Sequence, residues 1–322
     1  MNARTFIQER FGTLPIPERS YLVLMSPRSG SNLLCVHLQK IEYGRPVEGF
    51  HFSQRALQEI YGSKGDFSDP YRHIKTVLEY GTVGGVFGLK FSWVEFELFL
   101  KKARSLIEPG GFELNDAEMT DVFFPNAAYI HLKRRDKVKQ AVSYARAMQT
   151  GIWKVDAGQD NAYKNYILEA KYDRKHIETL FDNLLAFDLL WEQYLKRFRL
   201  PALELWYEDL AGSYYDKMRE VYAFLNIERS EVIEPPLKRQ ADDKSSDWVQ
   251  RFRQEMPWLQ DPLIAQALVR GDFYTVYLQR TMQYVRGCER TRWSQMPASR
   301  SRSLRRFMRR VRNKLERFRL LA

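Results

Sequence analysis

Cysteine is scarce in this chain: Cys35 and Cys288 are the only two among 322 residues. That excludes a small fold stapled by disulfides, and both residues read as free thiols in a reducing compartment. No apolar run of about 18 residues occurs, which excludes a helix that spans a bilayer. The opening stretch, Met1 to Arg10, lacks the apolar core of a secretory signal, so the expectation is a soluble, cytoplasmic protein. A nucleoside-triphosphatase loop of the form GxxxxGK[ST] is also missing, which counts against metal-dependent phosphoryl transfer and leads us to expect a metal-independent site. Acidic residues are nearly absent from the C-terminal end. Residues 297–322 hold ten Lys and Arg against Glu316 alone, so +9 of the net charge of +11 sits there. The body is close to neutral, and nucleic-acid binding is not its expected work.

An apolar content of 44% is enough for a sizeable core. Its first marked feature is the run Tyr21-Leu-Val-Leu-Met25, then Ser26-Pro-Arg-Ser-Gly-Ser-Asn32, then Leu33 to Leu38. A short apolar run bounded by turn residues predicts a buried strand. The polar loop that follows leads into a helix beginning near Ser31, whose unpaired amides and positive dipole end suit an anion. Gly30 permits a positive φ and close backbone approach, Arg28 supplies a cationic fork, and Ser29, Ser31 and Asn32 are short polar groups. The loop therefore reads as a phosphate cradle; the plainer alternative is a structural strand-to-helix turn.

Further along, Gly44-Arg-Pro-Val-Glu48 forces an exposed turn. Glu48 is the candidate general base, with Glu42 as the weaker choice, because carboxylates near the C-terminal edge of a parallel sheet are placed for chemistry. His51 reads as a packed or surface residue. Gly85 to Trp93 predicts a second central strand, in which Lys90 either points into the site or snorkels to solvent. Val94 to Ile107 predicts a helix, and Ala127 to Arg135 a strand running into basic residues. Asp136 is placed to cap a helix over Lys137 to Gln149. Residues 160–198 carry a core stripe at helical spacing, Leu203 to Tyr207 reads as a strand and Tyr215 to Leu225 as a helix. Alternating strands and helices predict an α/β fold, a central parallel sheet with helices on both faces and a basic helical tail.

In this order, Ser26 to Leu34, Gly44 to Glu48, Phe87-Gly-Leu-Lys90, Arg134-Arg-Asp-Lys-Val-Lys-Gln-Ala-Val-Ser143, Gln149-Thr-Gly-Ile-Trp153, Tyr207-Glu-Asp-Leu210 and Arg239-Gln-Ala-Asp242 span residues 20–255. The pattern resembles the P-loop-like sulfotransferase superfamily, and within it the bacterial trehalose 2-sulfotransferase type. The resemblance implies transfer of a sulfuryl group from 3′-phosphoadenosine 5′-phosphosulfate (PAPS) to an acceptor hydroxyl of a carbohydrate or glycolipid. It implies that Arg28, Ser29, Gly30, Ser31 and Asn32 cradle the 5′-phosphosulfate, that Arg135 and Ser143 hold the 3′-phosphate, and that Glu48 is the base. Lys90 and Arg239 are further cofactor-binding candidates. Asn32 stands where the family usually has Thr, and Arg45 where relatives tend to have an acid, a departure that bears on the acceptor.

The expected organisation is an N-terminal segment (1–19), a sulfotransferase domain (20–296) and a basic amphipathic tail (297–322). Within residues 300–319 apolar residues recur at helical spacing beneath the arginines, which suits an interfacial helix on anionic lipid. A rival reading is a nucleotide-binding small-molecule kinase, or a non-catalytic scaffold recruited to membrane or nucleic acid through that tail.

Overall fold

A computed structural model describes residues 1–51, 53–62, 67–153, 170–237 and 243–256, together with 259, 262 and 266. The chain divides into two compact units, Met1–Lys133 with Tyr194–Lys238, and Arg134–Gln193 with Arg239–Ala322.

The first unit is built on β1 (Arg19–Met25), β2 (Thr82–Val83), β3 (Val86–Ser92), β4 (Ala128–Lys133) and β5 (Ala202–Trp206). They stand in the order β2-β3-β1-β4-β5. β1 pairs in parallel with β3 and β4, and β4 with β5. The short β2, which no sequence pattern announced, runs antiparallel on β3. Six of the seven residues of β1 are buried, as a strand covered on both faces requires.

One face lies under α2 (Ser31–Lys40) and α10 (Tyr214–Leu225), where Val23, Ile130 and Leu132 meet Leu34, Leu38, Met218 and Val221. Phe87 and Phe91 point the other way, toward Phe99 of α5 (Trp93–Ile107) and Phe124, which follows α6 (Asp116–Phe123). The unit also holds α1 (Ala3–Phe11), α3 (Gln54–Tyr61), α4 (Pro70–Gly81) and α9 (Tyr207–Gly212). Because the chain leaves β1 for β3 on one side and later adds β4 on the other, strand order reverses at β1. Crevices at the carboxyl ends of strands at such a switch point are where open α/β sheets bind ligands.

The second unit contains α7 (Lys137–Thr150), most of α8 (Arg174–Arg197) and α11 (Asp243–Glu255). Its buried Lys137 ammonium is neutralised by Asp188 and donates to Gln140. Phe181 packs on Phe252, and the Arg251 guanidinium lies 4.1 Å above the ring of Tyr172.

Two element boundaries differ from the sequence expectation. Trp93 and Tyr207 begin helices instead of ending strands. For Trp93 the reason is a capping box: the Ser92 hydroxyl accepts from the Glu95 amide while the Glu95 carboxylate accepts from the Ser92 amide.

Candidate active site

β1 delivers the chain to Ser26, which is fully buried. The next residues form a tight turn, in which the Ser29 amide donates to the Ser26 carbonyl at 3.2 Å. Arg28 has φ of 65° and Gly30 has φ of 88°, so the turn winds through left-handed backbone twice before α2 begins at Ser31. Only glycine serves at position 30, since a Cβ there would lie 2.4 Å from the Tyr207 ring. The Ser29 hydroxyl is buried and has no hydrogen-bond partner. A helix N-terminus with an orphaned buried hydroxyl beside it, at the switch point of the sheet, fits an oxyanion. No side chain of the loop is acidic.

The turn bearing Glu48 is pressed against the sheet. At Gly44 φ is 70°, and a Cβ would lie 2.8 Å from the backbone nitrogen of Gly88, so a side chain would lift the turn off β3. The Lys90 amide donates to the Val47 carbonyl at 3.1 Å, and Val47 bridges Leu89 in parallel sense. This register sets Glu48 next to Lys90, with Nζ to Oε1 at 3.0 Å. The same ammonium donates to Asn32 Oδ1 at 2.8 Å, which ties the turn to the first residues of α2.

Lys90 therefore points into the site, and its side chain is only 8% exposed. Burial opposes its charge, but Glu48 and the neighbouring Cys35 outweigh that and raise its pKa above the ordinary lysine value. Burial likewise opposes the Glu48 carboxylate, and Lys90 together with His51 outweighs it, holding Glu48 below the usual range. The Cys35 thiol is pushed up to about 12, first by burial. It is no nucleophile.

Glu95, on the first turn of α5, was not singled out by the sequence. Its Oε2 accepts from the Ser92 amide and hydroxyl, both at 2.9 Å, while Oε1 is buried without a partner. One carboxylate oxygen each from Glu48 and Glu95 and one ring nitrogen of His51 lie within 4.8 Å of one another. Burial first, and then the Glu48 charge, raise Glu95 to about 8 against the pull of Ser92 and Lys90. The signal in the sequence was the capping-box spacing Ser92-Trp-Val-Glu95, which announces a helix start and says nothing of burial.

The remaining expectations divide. Glu42 is exposed in a left-handed turn, outside this cluster. Arg45 stacks over the Tyr80 ring at 4.5 Å and reaches the Tyr80 carbonyl, so it faces α4. Arg135, in the turn before α7, and Ser143, on α7, are half-buried and belong to the second unit. Arg239, Cys288 and the tail of residues 297–322 lie outside the described residues. Among the described residues no helix is long and apolar enough to cross a membrane.

Comparison with known proteins agrees with the motif order. The model of the Stf0 sulphotransferase family matches residues 20–255. The trehalose 2-sulfotransferase of Mycolicibacterium smegmatis is 28% identical over 259 residues, 73% of this chain and 95% of that protein. The trehalose 2-sulfotransferase of Mycobacterium tuberculosis is 27% identical over 266 residues, 75% and 97% of the two chains. A solved sulfotransferase domain from the olefin synthase of Synechococcus PCC 7002 aligns with 16% identity and a TM-score of 0.32, covering 72% of this chain and 80% of its own.

Proposed function

The chain belongs to the Stf0 sulphotransferase family, and from that premise we propose that this sulfotransferase moves a sulfuryl group from PAPS to a carbohydrate hydroxyl, with Glu48 as general base. The family generally uses PAPS, and both curated relatives carry the name trehalose 2-sulfotransferase. A non-reducing disaccharide is thus the first acceptor to try. When bound, the donor supplies an activated sulfuryl group whose leaving group is 3′,5′-ADP.

The observation that carries the proposal is the contact of Lys90 with both Glu48 and Asn32, because it joins the acid of the second motif to the cradle of the first. Glu48, held ionised by Lys90, takes the proton of the attacking hydroxyl at a carboxylate oxygen. As that proton arrives, Glu48 loses its charge, and the Lys90 ammonium is released toward negative charge developing nearby. Arg28 and the amides at the start of α2 stabilise anionic oxygens, more strongly as their charge grows. Ser29 offers its unused hydroxyl. Arg135 and Ser143 are assigned the 3′-phosphate on the motif they share, and Arg239 a closing role over the donor.

The test is label transfer from sulfur-labelled PAPS to trehalose and a panel of sugars and glycolipids, with wild type and Glu48→Gln side by side. Transfer should fall about 10²- to 10⁴-fold in the variant, assayed well below a melting temperature that itself drops because the buried Lys90 loses its ion pair. A variant that sulfates at the wild-type rate across the pH range removes Glu48 from the reaction.

A further inference from the structure

A Glu at the third position of a capping box is ordinarily a surface residue, and this chain holds such a case: Glu118, paired with Asn115 at the start of α6, is exposed. Glu95 has the same local role but only 2% of its surface is exposed, and one of its oxygens has no partner. That oxygen is not needed for the cap, which uses Oε2. A buried carboxyl with spare capacity, 4.8 Å or less from the candidate base, requires another explanation.

Charge supplies it. Glu95 faces Glu48 and His51 from the turn after β1 and α2, Lys90 from β3 and Tyr61 from α3. Two ionised carboxylates within 4.8 Å of one another, where water is largely excluded, would repel, and the Lys90 ammonium pairs with Glu48 rather than with Glu95. One proton removes that repulsion. Glu48 has the direct ion pair and about a third of its side chain exposed, so the proton belongs on the deeper group. Two carboxylates this close, in unlike surroundings, divide into one that stays ionised and one that stays protonated.

We propose that Glu95 is a positioning residue for the transfer reaction: it keeps one proton beneath Glu48, so that the pair presents a single negative charge to Lys90 and Glu48 alone acts as base. The proton sits on Oε1, the oxygen that the cap leaves unused. Loss of this proton adds a second negative charge beside the bound donor anion, so transfer efficiency declines as pH rises through Glu95's titration near 8. The inference rests on the reading of Glu48 as base, and its test separates the two.

Carbon NMR of labelled glutamate carboxyls, in the full-length protein without donor, follows Glu95 directly. One carboxyl should titrate near 8 and vanish from the spectrum in Glu95→Gln, a change that keeps a side chain able to cap. In kinetics, Glu95→Gln should lose the decline in kcat/KM above 8, whereas the exposed Glu118→Gln should leave both the profile and the activity near neutrality unchanged. Absence of a carboxyl titrating above the ordinary range, or an unaltered alkaline decline in Glu95→Gln, overturns the proposal. The NMR readout stands even if Glu48→Gln turns out to be active, a result that would remove the base and leave the proton on Glu95 in place.

Discussion

The starts of α5 and α6 are built alike and used differently. Each is a capping box, Ser92 with Glu95 and Asn115 with Glu118, and each satisfies amides that a helix leaves open. At α6 the box faces solvent, and its work ends with the cap. At α5 the box begins directly where β3 ends, so its Glu is buried within 4.8 Å of Glu48. The comparison teaches that a local motif fixes hydrogen bonds, while the register of the surrounding sheet decides whether the same carboxyl is ornament on the surface or charge in a pocket.

The largest effect that sharpens this contrast should come from removing the buried cation on the α5 side, whereas the cation at the start of α6, Arg104 on Asp116, is exposed. Lys90→Met leaves the half-buried Glu48 without its ion-pair partner and removes the Lys90 donor from Asn32. We expect a loss of about 3 kcal/mol in unfolding free energy, the low end for breaking a buried pair because a third of the Glu48 side chain meets solvent, read by urea denaturation. Activity should fall with it, and an unchanged midpoint would show that the pair is not structurally coupled to the turn. Next in size is Gly30→Ala. A left-handed backbone and the Tyr207 ring both oppose a Cβ, so stability should drop by about 2 kcal/mol. Affinity for 3′,5′-ADP should weaken as the turn is pushed out of shape, and binding at wild-type strength would argue against the cradle.

Smallest are the caps themselves. Ser92→Ala and Asn115→Ala should each cost about 1 kcal/mol. Only Ser92→Ala should also move the pH profile of transfer, upward in pH, because it removes the hydroxyl bond that favours the ionised form of Glu95 while the amide bond stays. Equal profiles in the two variants would make the two boxes functionally equivalent.

Much of the fold was legible because strand β1 is a continuous apolar run and because Gly30, Asp136 and the Leu, Phe and Trp stripe of α8 follow simple periodic and capping rules. Glu48 and Lys90 were each visible as candidates from their positions at a turn and near a strand end. Their partnership was not, because it depends on the Val47 to Leu89 register, a tertiary fact with no local spacing. Whether Lys90 pointed in or snorkelled was undecidable for the same reason, and burial next to Glu48 decides it. Glu95 was hidden in plain view: its spacing from Ser92 is a helix-start signature, and no pattern of neighbours distinguishes it from Glu118. The two-residue β2 is too short to carry any periodicity.

The most direct measurement is calorimetric titration of the protein with 3′,5′-ADP and, in parallel, with 5′-AMP. A sulfotransferase that holds its donor by both a 5′ cradle and a 3′-phosphate site binds the bisphosphate at least tenfold tighter, about 1.4 kcal/mol or more. Equal affinity for the two nucleotides, or no binding of either, contradicts PAPS as the donor.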